Sequence, residues 1–600
     1  MCGINAIYAF HAATQPAVEE ELIRTRDAMR ARGPDAAGAW FSPDRHVALG
    51  HRRLSILDLD HRADQPMLAP GGQAAIVYNG EIYNYRELRA ELEADGETFS
   101  TTSDTEVLLR MYLRQGPAML SRLRGMFAFA VWNEPTRTMF LARDPYGIKP
   151  LYYANDGRTL RVASQVKALL AGGAVSATRD PAGVAGFLLR GSVPEPFTMY
   201  ESIRSLPAGH WMEITPSGAS EPRAYFSIAA VWREASEGRP RMGQEERQAI
   251  IADAVRESVR YHLVSDVPVG AFLSAGRDSG TIVALAAETG TPLQSVTLRF
   301  DEYADTRQDE APLAAIVARR YGTSHSSVTL TGDEFRRELP RVLEAMDQPS
   351  IDALNSYFVC HAAAKLGWKV ALSGTGGDEL FGGYSTFRSI PRFVRAFAVF
   401  HHLPGMARVY ERLHKRLVPR TPRFSPKSAL APKYCHTYEG AYLVKRGLFL
   451  PEELPAILGD GLAEEGLRRL SLLEHIRQAI TPDPGSAFAR VASLESALYM
   501  RNQLLRDIDW CSMAHSLEVR VPLVDTFLLR KVAPAVLAGR HRDGKELMAR
   551  APRQPLPESV MTRRKTGFTV PARAWLAEHT NGQPLFGMRP WALFLVEQHV

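Results

Sequence analysis

The second residue constrains this chain more than any other. Cys2 directly follows the initiator, in Met1-Cys2-Gly3-Ile4. Once Met1 is removed, a thiol and a free α-amine belong to one residue. An α-amine titrates at roughly pH 8. It can take the thiol's proton, directly or through a water, and make a thiolate without a separate histidine. A layered, sheet-rich domain can bury such a strand-terminal residue between layers while leaving its end at a cleft. Position 2 alone reads as a chance cysteine at a frayed end. The motifs downstream reverse that.

Six hundred residues are too many for one hydrophobic core, so at least two domains are expected. The hydrophobic fraction of 45% is that of an ordinary globular chain. Net charge is +6, from 72 basic and 66 acidic residues, with no lysine–arginine block of the kind that marks a nucleic-acid partner. Cys2, Cys360, Cys435 and Cys511 have neither zinc-ligand spacing nor the pattern of a disulfide framework. A reducing compartment is the default for such a set. There is no basic, apolar leader pattern and no apolar run long enough to span a bilayer. The expectation is a cytosolic, cytoplasmic protein with no nucleic-acid or membrane partner.

Residues 2–215 read as short strands and turns: Cys2 to Tyr8, then Gln73 to Tyr78 ending in Asn79-Gly80, then Phe127 to Trp132. Asn133-Glu134-Pro135-Thr136 is a turn, and Met139 to Ala142 returns as a hairpin partner. Glu19 to Met29 has helical spacing. Arg53 offers a guanidinium that grips a carboxylate at two points. The Asn79 amide and the Gly80 N–H suit an oxyanion hole. Glu81 and Asp104 suit a substrate ammonium. Singly, Asn-Gly is a common turn, and Ser103-Asp104 caps a helix beginning near Thr105.

Together these clusters are not independent. Met1-Cys2-Gly3, Arg32-Gly33-Pro34-Asp35, Arg53-Leu54-Ser55-Ile56, Tyr78 to Asn84, Ser103-Asp104-Thr105-Glu106 and Arg143 to Tyr153 resemble, in order, the glutaminase domain of class II glutamine amidotransferases. More narrowly, they resemble that of glutamine-hydrolysing asparagine synthetases. The resemblance implies an N-terminal-nucleophile (Ntn) hydrolase fold, a four-layer α/β/β/α sandwich. It implies that Cys2 attacks the glutamine amide, that Asn79 and Gly80 hold the oxyanion, and that Arg53, Glu81 and Asp104 bind the α-groups. The family's His before Arg-Gly-Pro-Asp is Ala31 here, and its Ser-Glu is Ser164-Gln165.

Residues 216–245 are polar and irregular and read as a linker, with helical spacing from Glu245 to Tyr261. The second domain, 246–600, opens on an apolar strand, Val267 to Leu273, and a tight polar loop, Ser274 to Gly280. A helix is expected from Thr281 to Thr289. This order aims backbone N–H groups and the helix dipole at one anion. Asp278 is a hard oxygen ligand suited to magnesium. A second strand, Lys369 to Leu372, enters Ser373-Gly374-Thr375-Gly376-Gly377-Asp378, and two such strand ends suit a cleft at the carboxyl edge of a parallel sheet. The loop has neither the Gly-Lys-Ser/Thr ending of a P-loop nor a dinucleotide fingerprint.

That loop resembles the PP-loop of ATP pyrophosphatases, usually Ser-Gly-Gly-x-Asp-Ser. Leu504 to Asp509, Ser512 to Asp525 and Arg563 to Phe568 resemble the closing motifs of the asparagine synthetase family. The resemblance implies an α/β ATP-pyrophosphatase-like domain with helical additions. ATP would sit on Leu273, Ser274, Gly276, Asp278, Ser279, Ser373 and Gly374, with Mg2+ on Asp278 and Asp378. Lys565 would neutralise phosphate charge. The substrates would be glutamine, ATP and a carboxylate acceptor, and a homodimer is the family-level expectation. Residues 390–490 carry no motif and are expected to be mostly helical.

Four departures bear on the acceptor and on ATP: Ala275 for a glycine, Arg277 for an apolar residue, Thr375 for the Glu of Ser-Gly-Glu-Gly, and Gln348 for Glu. Three functions stay open: an asparagine synthase acting on aspartate, the same chemistry on another carboxylate, or a non-synthesising scaffold that binds glutamine.

Overall fold

The structure is a computed structural model that describes residues 2–11, 14–238, 241–402, 405, 409–410, 412, 414, 426–539, 543–563, 567, 569–572, 575 and 588–599. Its first half holds two antiparallel sheets. Across the first, the order is Arg204–Ser205, Tyr152–Asn155, Thr159–Ala163, Gly3–Ala9, Val47–Arg53, Ala36–Phe41. Across the second it is Gly218–Ala219, His210–Thr215, Thr138–Arg143, Gly125–Asn133, Ala74–Ile82, Met67–Leu68.

The period-2 geometry of a strand explains why these segments are apolar along their whole length. In Gly125–Asn133, Ala128, Ala130 and Trp132 pack between the two sheets with Ile4, Ala6 and Tyr8. Phe127, Phe129 and Val131 face the other way, into the helices Tyr85–Ala94 and Asp104–Gln115. Ile7 faces outward in the first sheet, against Leu22 of the helix Glu19–Asp27. A helix layer therefore covers each outer face, which gives the α/β/β/α sandwich expected from the sequence.

The second half is built on five parallel strands in the order Ser324–Leu330, Gln294–Phe300, Val269–Phe272, Val370–Leu372, Glu518–Arg520. The chain winds outward one way from Val269–Phe272, then restarts on its other side at Val370–Leu372. The loops after these two neighbouring strands diverge at the switch point, where open α/β sheets bind ligands. Residues 390–490 are mainly helical where described, from Tyr438–Arg446 to Ala487–Leu494.

Three boundaries differ from the sequence expectation. Asn79 and Gly80 do not end a strand in a turn; they lie inside Ala74–Ile82, with Asn79 paired to Ala128. Ladder pairing across the whole hairpin overrides the local turn preference of Asn-Gly. The helix after the phosphate loop starts at Arg277 rather than Thr281, so Asp278 and Ser279 are in its first turn. Within 216–245, Ile228–Glu237 is a helix that buries Trp232.

The halves share one continuous apolar core, in which Leu54, Ile56, Met126 and Tyr146 join Trp510, Met513, Val521 and Leu523. Charged groups are buried in the same interface. Arg124 bonds Asp525 at 2.7 Å and Glu257 at 2.6 Å. Among the described residues no helix is long and apolar enough to cross a membrane.

Candidate active sites

Cys2 leads into the first strand and is 8% exposed. Its backbone N–H donates to Asn79 Oδ1 at 2.9 Å, so the neighbouring sheet holds the nitrogen that removal of Met1 would turn into the α-amine. The other amide atom, Asn79 Nδ2, is buried with no partner among the described residues. A buried donor without an acceptor is costly, and the Oδ1 bond to Cys2 N fixes this amide next to the Cys2 backbone. Gly80 is required by its neighbour: a Cβ there would lie 2.1 Å from Met126 O. Burial pushes the Cys2 thiol up, and the Leu54 backbone and Arg53 only partly oppose it. An internal base is therefore needed to form the thiolate.

Cys2, Arg53, Gly80, Glu81 and Asp104 line one small cavity of about 30 Å³. That is roughly the share of one water, so anything larger fits only if the lining side chains part. The loop that closes it is held by Arg53, which donates to Asp60 O at 3.0 Å, to Asp64 Oδ1 at 2.6 Å and to Asp58 O. Asp104 accepts from Tyr78 Oη at 2.9 Å and Ile82 N at 3.0 Å, yet burial raises its pKa to about 6. Ser103 caps the helix, accepting from Thr105 N at 3.1 Å, and the neighbouring Asp104 lines the cavity.

Glu81 faces the second domain. Its carboxylate is 3.5 Å from Arg520 on the edge strand of the parallel sheet. Burial, then Glu518, pushes its pKa well above the usual carboxylate range, and Arg520 only partly counters them. A second link starts at Arg32. Its Nε donates to Cys2 O at 3.0 Å while Nη1 and Nη2 reach the Asp509 carboxylate at 2.7 and 3.1 Å. The Cys2 backbone is thus tied to the helix Arg506–Met513 of the other half.

The second site is a cavity of about 920 Å³ whose wall includes Leu273, Ser274, Gly276, Asp278, Ser279, Ser373, Gly374 and Asp378. The two loops lie against each other, and glycine makes this possible. A Cβ on Gly377 would sit 2.8 Å from Asp278 Cγ, and one on Gly374 3.0 Å from Ser279 N. Ser274 and Ser279 hydroxyls bond each other at 2.8 Å, and Ser274 Oγ accepts from Gly276 N at 3.1 Å. The first turn of Arg277–Ala287 leaves its N–H groups for an anion at that edge.

Sequence reasoning missed Lys545. It stands in the first turn of the helix Gly544–Ala549 and bridges the two acids, reaching Asp378 Oδ1 at 2.7 Å and pairing with both oxygens of Asp278. Burial alone would lower its pKa, but the two carboxylates outweigh burial and raise it. A lysine in a short amphipathic segment has no signature; only the fold brings it to the loop. Lys565 and Phe568 lie outside the described residues.

Residues 251–583 match the profile of the family described as Asparagine synthase, and residues 1–226 match the Glutamine amidotransferase domain. The chain belongs to the asparagine synthase family. It is an ATP-dependent glutamine amidotransferase, a carbon–nitrogen ligase. "Asparagine synthetase [glutamine-hydrolyzing] 1" of Bacillus subtilis is 33% identical over 97% of this chain and 89% of its own length. A putative asparagine synthetase of Mycobacterium tuberculosis is 33% identical over 96% of this chain and 88% of its own length. "Amidase chry2" of Gibberella zeae is 31% identical over 65% of this chain and 60% of its own length.

The departures from the synthetase pattern separate once placed in the fold. Ala31 contributes only its carbonyl, which accepts from Ser516 Oγ at 2.7 Å. Arg277 is half-buried, lines the nucleotide cavity and bonds Met561 O. Gln348 belongs to the domain interface, accepting from Met199 N and donating to Tyr152 Oη, both at 3.2 Å. Ala275 and Thr375 line the nucleotide cavity as well, and Ala275 is 1% exposed. Thr375 Oγ1 lies 3.0 Å from Ser373 Oγ. Of the two departures that bear on the acceptor, only Thr375 faces that cavity.

Proposed function

We propose that this chain joins ammonia, freed from glutamine at Cys2, to a carboxylate activated by ATP at the second cavity, yielding an amide, AMP and pyrophosphate. The observation that carries the reading is the single cavity that gathers the two loops, both acids and Lys545. The glutaminase unit is assigned to residues 2–215 and the synthetase unit to 246–600. At the first site the Cys2 amine takes the thiol proton and the thiolate attacks the amide carbon. Asn79 Nδ2, buried without a partner among the described residues, and the Gly80 N–H donate to the oxyanion. Arg53 takes the α-carboxylate, and Glu81 and Asp104 the α-ammonium.

At the second site the helix N-terminus, Ser274 and Ser279 hold phosphate oxygens, and Lys545 balances their charge. The Asp278 and Asp378 carboxylates converge on one point, which Lys545 now fills. Two carboxylates with phosphate oxygens are an ordinary magnesium environment, so Asp278 and Asp378 would hold the ion, which would supply positive charge against the phosphates. The apolar interface that includes Leu54, Ile56 and Met126 supports transfer of ammonia in neutral form, away from water.

Aspartate is the first acceptor to try. Thr375 and the size of the cavity support a second reading, in which another carboxylate is amidated. In the trimmed protein, Cys2→Ala should abolish glutamine-dependent synthesis and leave ammonia-dependent synthesis within about twofold, because the thiol acts only in releasing ammonia. Equal loss of both would sink the two-site scheme. Pyrophosphate release across a carboxylate panel then identifies the acceptor, and release with none of them leaves the scaffold reading.

A further inference from the structure

A smaller cavity of about 220 Å³ adjoins the nucleotide cavity, and Asp352 stands in the wall of both. Its polar wall is made by Arg190, Tyr442, Lys445, Arg446, Tyr499 and Gln503. Three helical segments supply them. Arg190 ends Pro181–Arg190 of the first half, and Tyr442, Lys445 and Arg446 lie on Tyr438–Arg446. Tyr499 and Gln503 lie on the π-helical stretch Glu495–Leu505, a geometry frequent at functional sites.

The charges in this wall do not cancel. Three cations face one acid, Asp352. Arg446 is already committed: it pairs with Glu495 at 2.9 Å and lies over the rings of Tyr499 and Tyr384 at 4.0 and 4.5 Å. Lys445 lies over Phe393 at 4.2 Å. Asp352 accepts from Asn355 Nδ2 at 2.9 Å and Tyr499 Oη at 3.3 Å. Arg190 is different. Its Nη1 is buried with no hydrogen-bond partner among the described residues, and so is the hydroxyl of Tyr442. Burial lowers the Arg190 pKa, yet a guanidinium remains charged at any ordinary pH. A buried cation and a buried hydroxyl, both lacking acceptors at one cavity, are a site for an anion.

Shape and position select the anion. The guanidinium fork matches a carboxylate at two points. The volume is the share of about seven waters in the liquid, enough for a short acid-bearing arm and too little for a nucleotide. Asp352 is common to both walls, and Tyr384 of the larger cavity meets Tyr499 of the smaller with ring centroids 6.0 Å apart, so the smaller cavity lies beside the one proposed to join the reacting carboxylate to ATP.

We propose that Arg190 and Tyr442 hold the second, unreacted carboxylate of the acceptor, so that the preferred acceptor is an extended dicarboxylic acid longer than aspartate. This rests on the large cavity being the adenylation site. The experiment uses the full chain with glutamine and ATP. Pyrophosphate release is measured with aspartate, with longer α,ω-dicarboxylates and their amino derivatives, and with monocarboxylates of matching length. Calorimetry measures dicarboxylate binding to the parent and to Arg190→Met without turnover.

The expected result is that Arg190→Met raises KM and Kd for the best dicarboxylate about twentyfold, the loss of one charged hydrogen-bonded contact. Its kcat, the KM for ATP and the rates with monocarboxylates should stay within about twofold, because none of these uses the second carboxylate. Arg190→Lys should recover part of the binding. The melting temperature of Arg190→Met should not fall, because an uncompensated buried charge has been removed. Equal effects on mono- and dicarboxylates overturn the proposal, as does failure of any dicarboxylate to bind the parent. If a dicarboxylate that is not amidated alters the KM of a monocarboxylate acceptor, the pocket is an effector site and the acceptor assignment falls. Absence of pyrophosphate release with every acid refutes the adenylation reading, and calorimetry still decides the pocket.

Discussion

Asp509→Asn tests how the two halves are held together. The Asp509 carboxylate receives both Arg32 nitrogens, at 2.7 and 3.1 Å, and lies 3.6 Å from Lys149 Nζ. The Arg32 and Lys149 side chains are 1% exposed and that of Asp509 is 4% exposed. Burial raises the Asp509 pKa, but Arg32 and then Lys149 outweigh it and hold it below the usual range. Its contribution is therefore fully present above the unfolded value, near pH 4, and is lost as pH falls through the depressed folded value.

Asparagine keeps the shape and removes the charge, leaving two buried cations facing each other. Breaking a buried pair in this way costs about 3–5 kcal/mol. At about 2 °C per kcal/mol for large domains, melting should fall by roughly 6–10 °C, or split into two transitions as the halves uncouple. Lys149 supplies a relief. Burial already lowers its pKa, and Asp509 is the largest opposing influence. Without Asp509 it releases its proton more readily, so the variant should regain stability as pH rises toward the unfolded lysine value of about 10.4. Because Arg32 also holds Cys2 O, glutamine hydrolysis should fall about tenfold, the order expected when a catalytic group is loosened. Calorimetric melting of Arg32→Met, Asp509→Asn and the double variant closes a cycle, whose coupling energy should exceed about 2 kcal/mol. A coupling below about 0.5 kcal/mol, with unchanged glutaminase activity, would show that this pair does not join the halves.

Lys545→Met should lower ATP–pyrophosphate exchange about a hundredfold, the scale for losing one preorganised charge stabiliser, while glutamine hydrolysis persists; exchange within threefold of the parent (about 0.65 kcal/mol) would refute its place among the phosphates. Asp104, with a pKa raised to about 6, must ionise to hold an ammonium. Glutamine binding to Cys2→Ala, followed by calorimetry, should weaken about tenfold per pH unit below that value, and a flat profile from pH 5 to 7 (about one unit either side) would remove Asp104 from the pocket. Gly80→Ala places a Cβ 2.1 Å from Met126 O. It should destabilise the first domain by about 1–3 kcal/mol and abolish glutaminase while sparing ammonia-dependent synthesis, as read by parallel melting and activity assays.

Local chemistry was legible along the chain because it is written in short segments. Gly125–Asn133 is apolar on both faces, and such a strand belongs between two layers. Cys2 with its own amine, the serine–aspartate loop after an apolar strand, and the second glycine-rich loop each announce a reaction through consecutive residues. The glutamine ligands and the nucleotide loops proposed from these motifs do meet in one small and one large cavity.

What the sequence alone determined was the identity of two chemistries and the layers that carry them, since strand period and loop composition depend on near neighbours. What only the tertiary structure decided was the company those residues keep. Lys545 reaches Asp278 across 267 positions and Arg32 reaches Asp509 across 477. Arg190 lines a cavity, and its buried Nη1 has no hydrogen-bond partner among the described residues. No local pattern encodes such pairs, because a buried charge takes its meaning from the low-dielectric surroundings and the counter-groups that folding assembles around it.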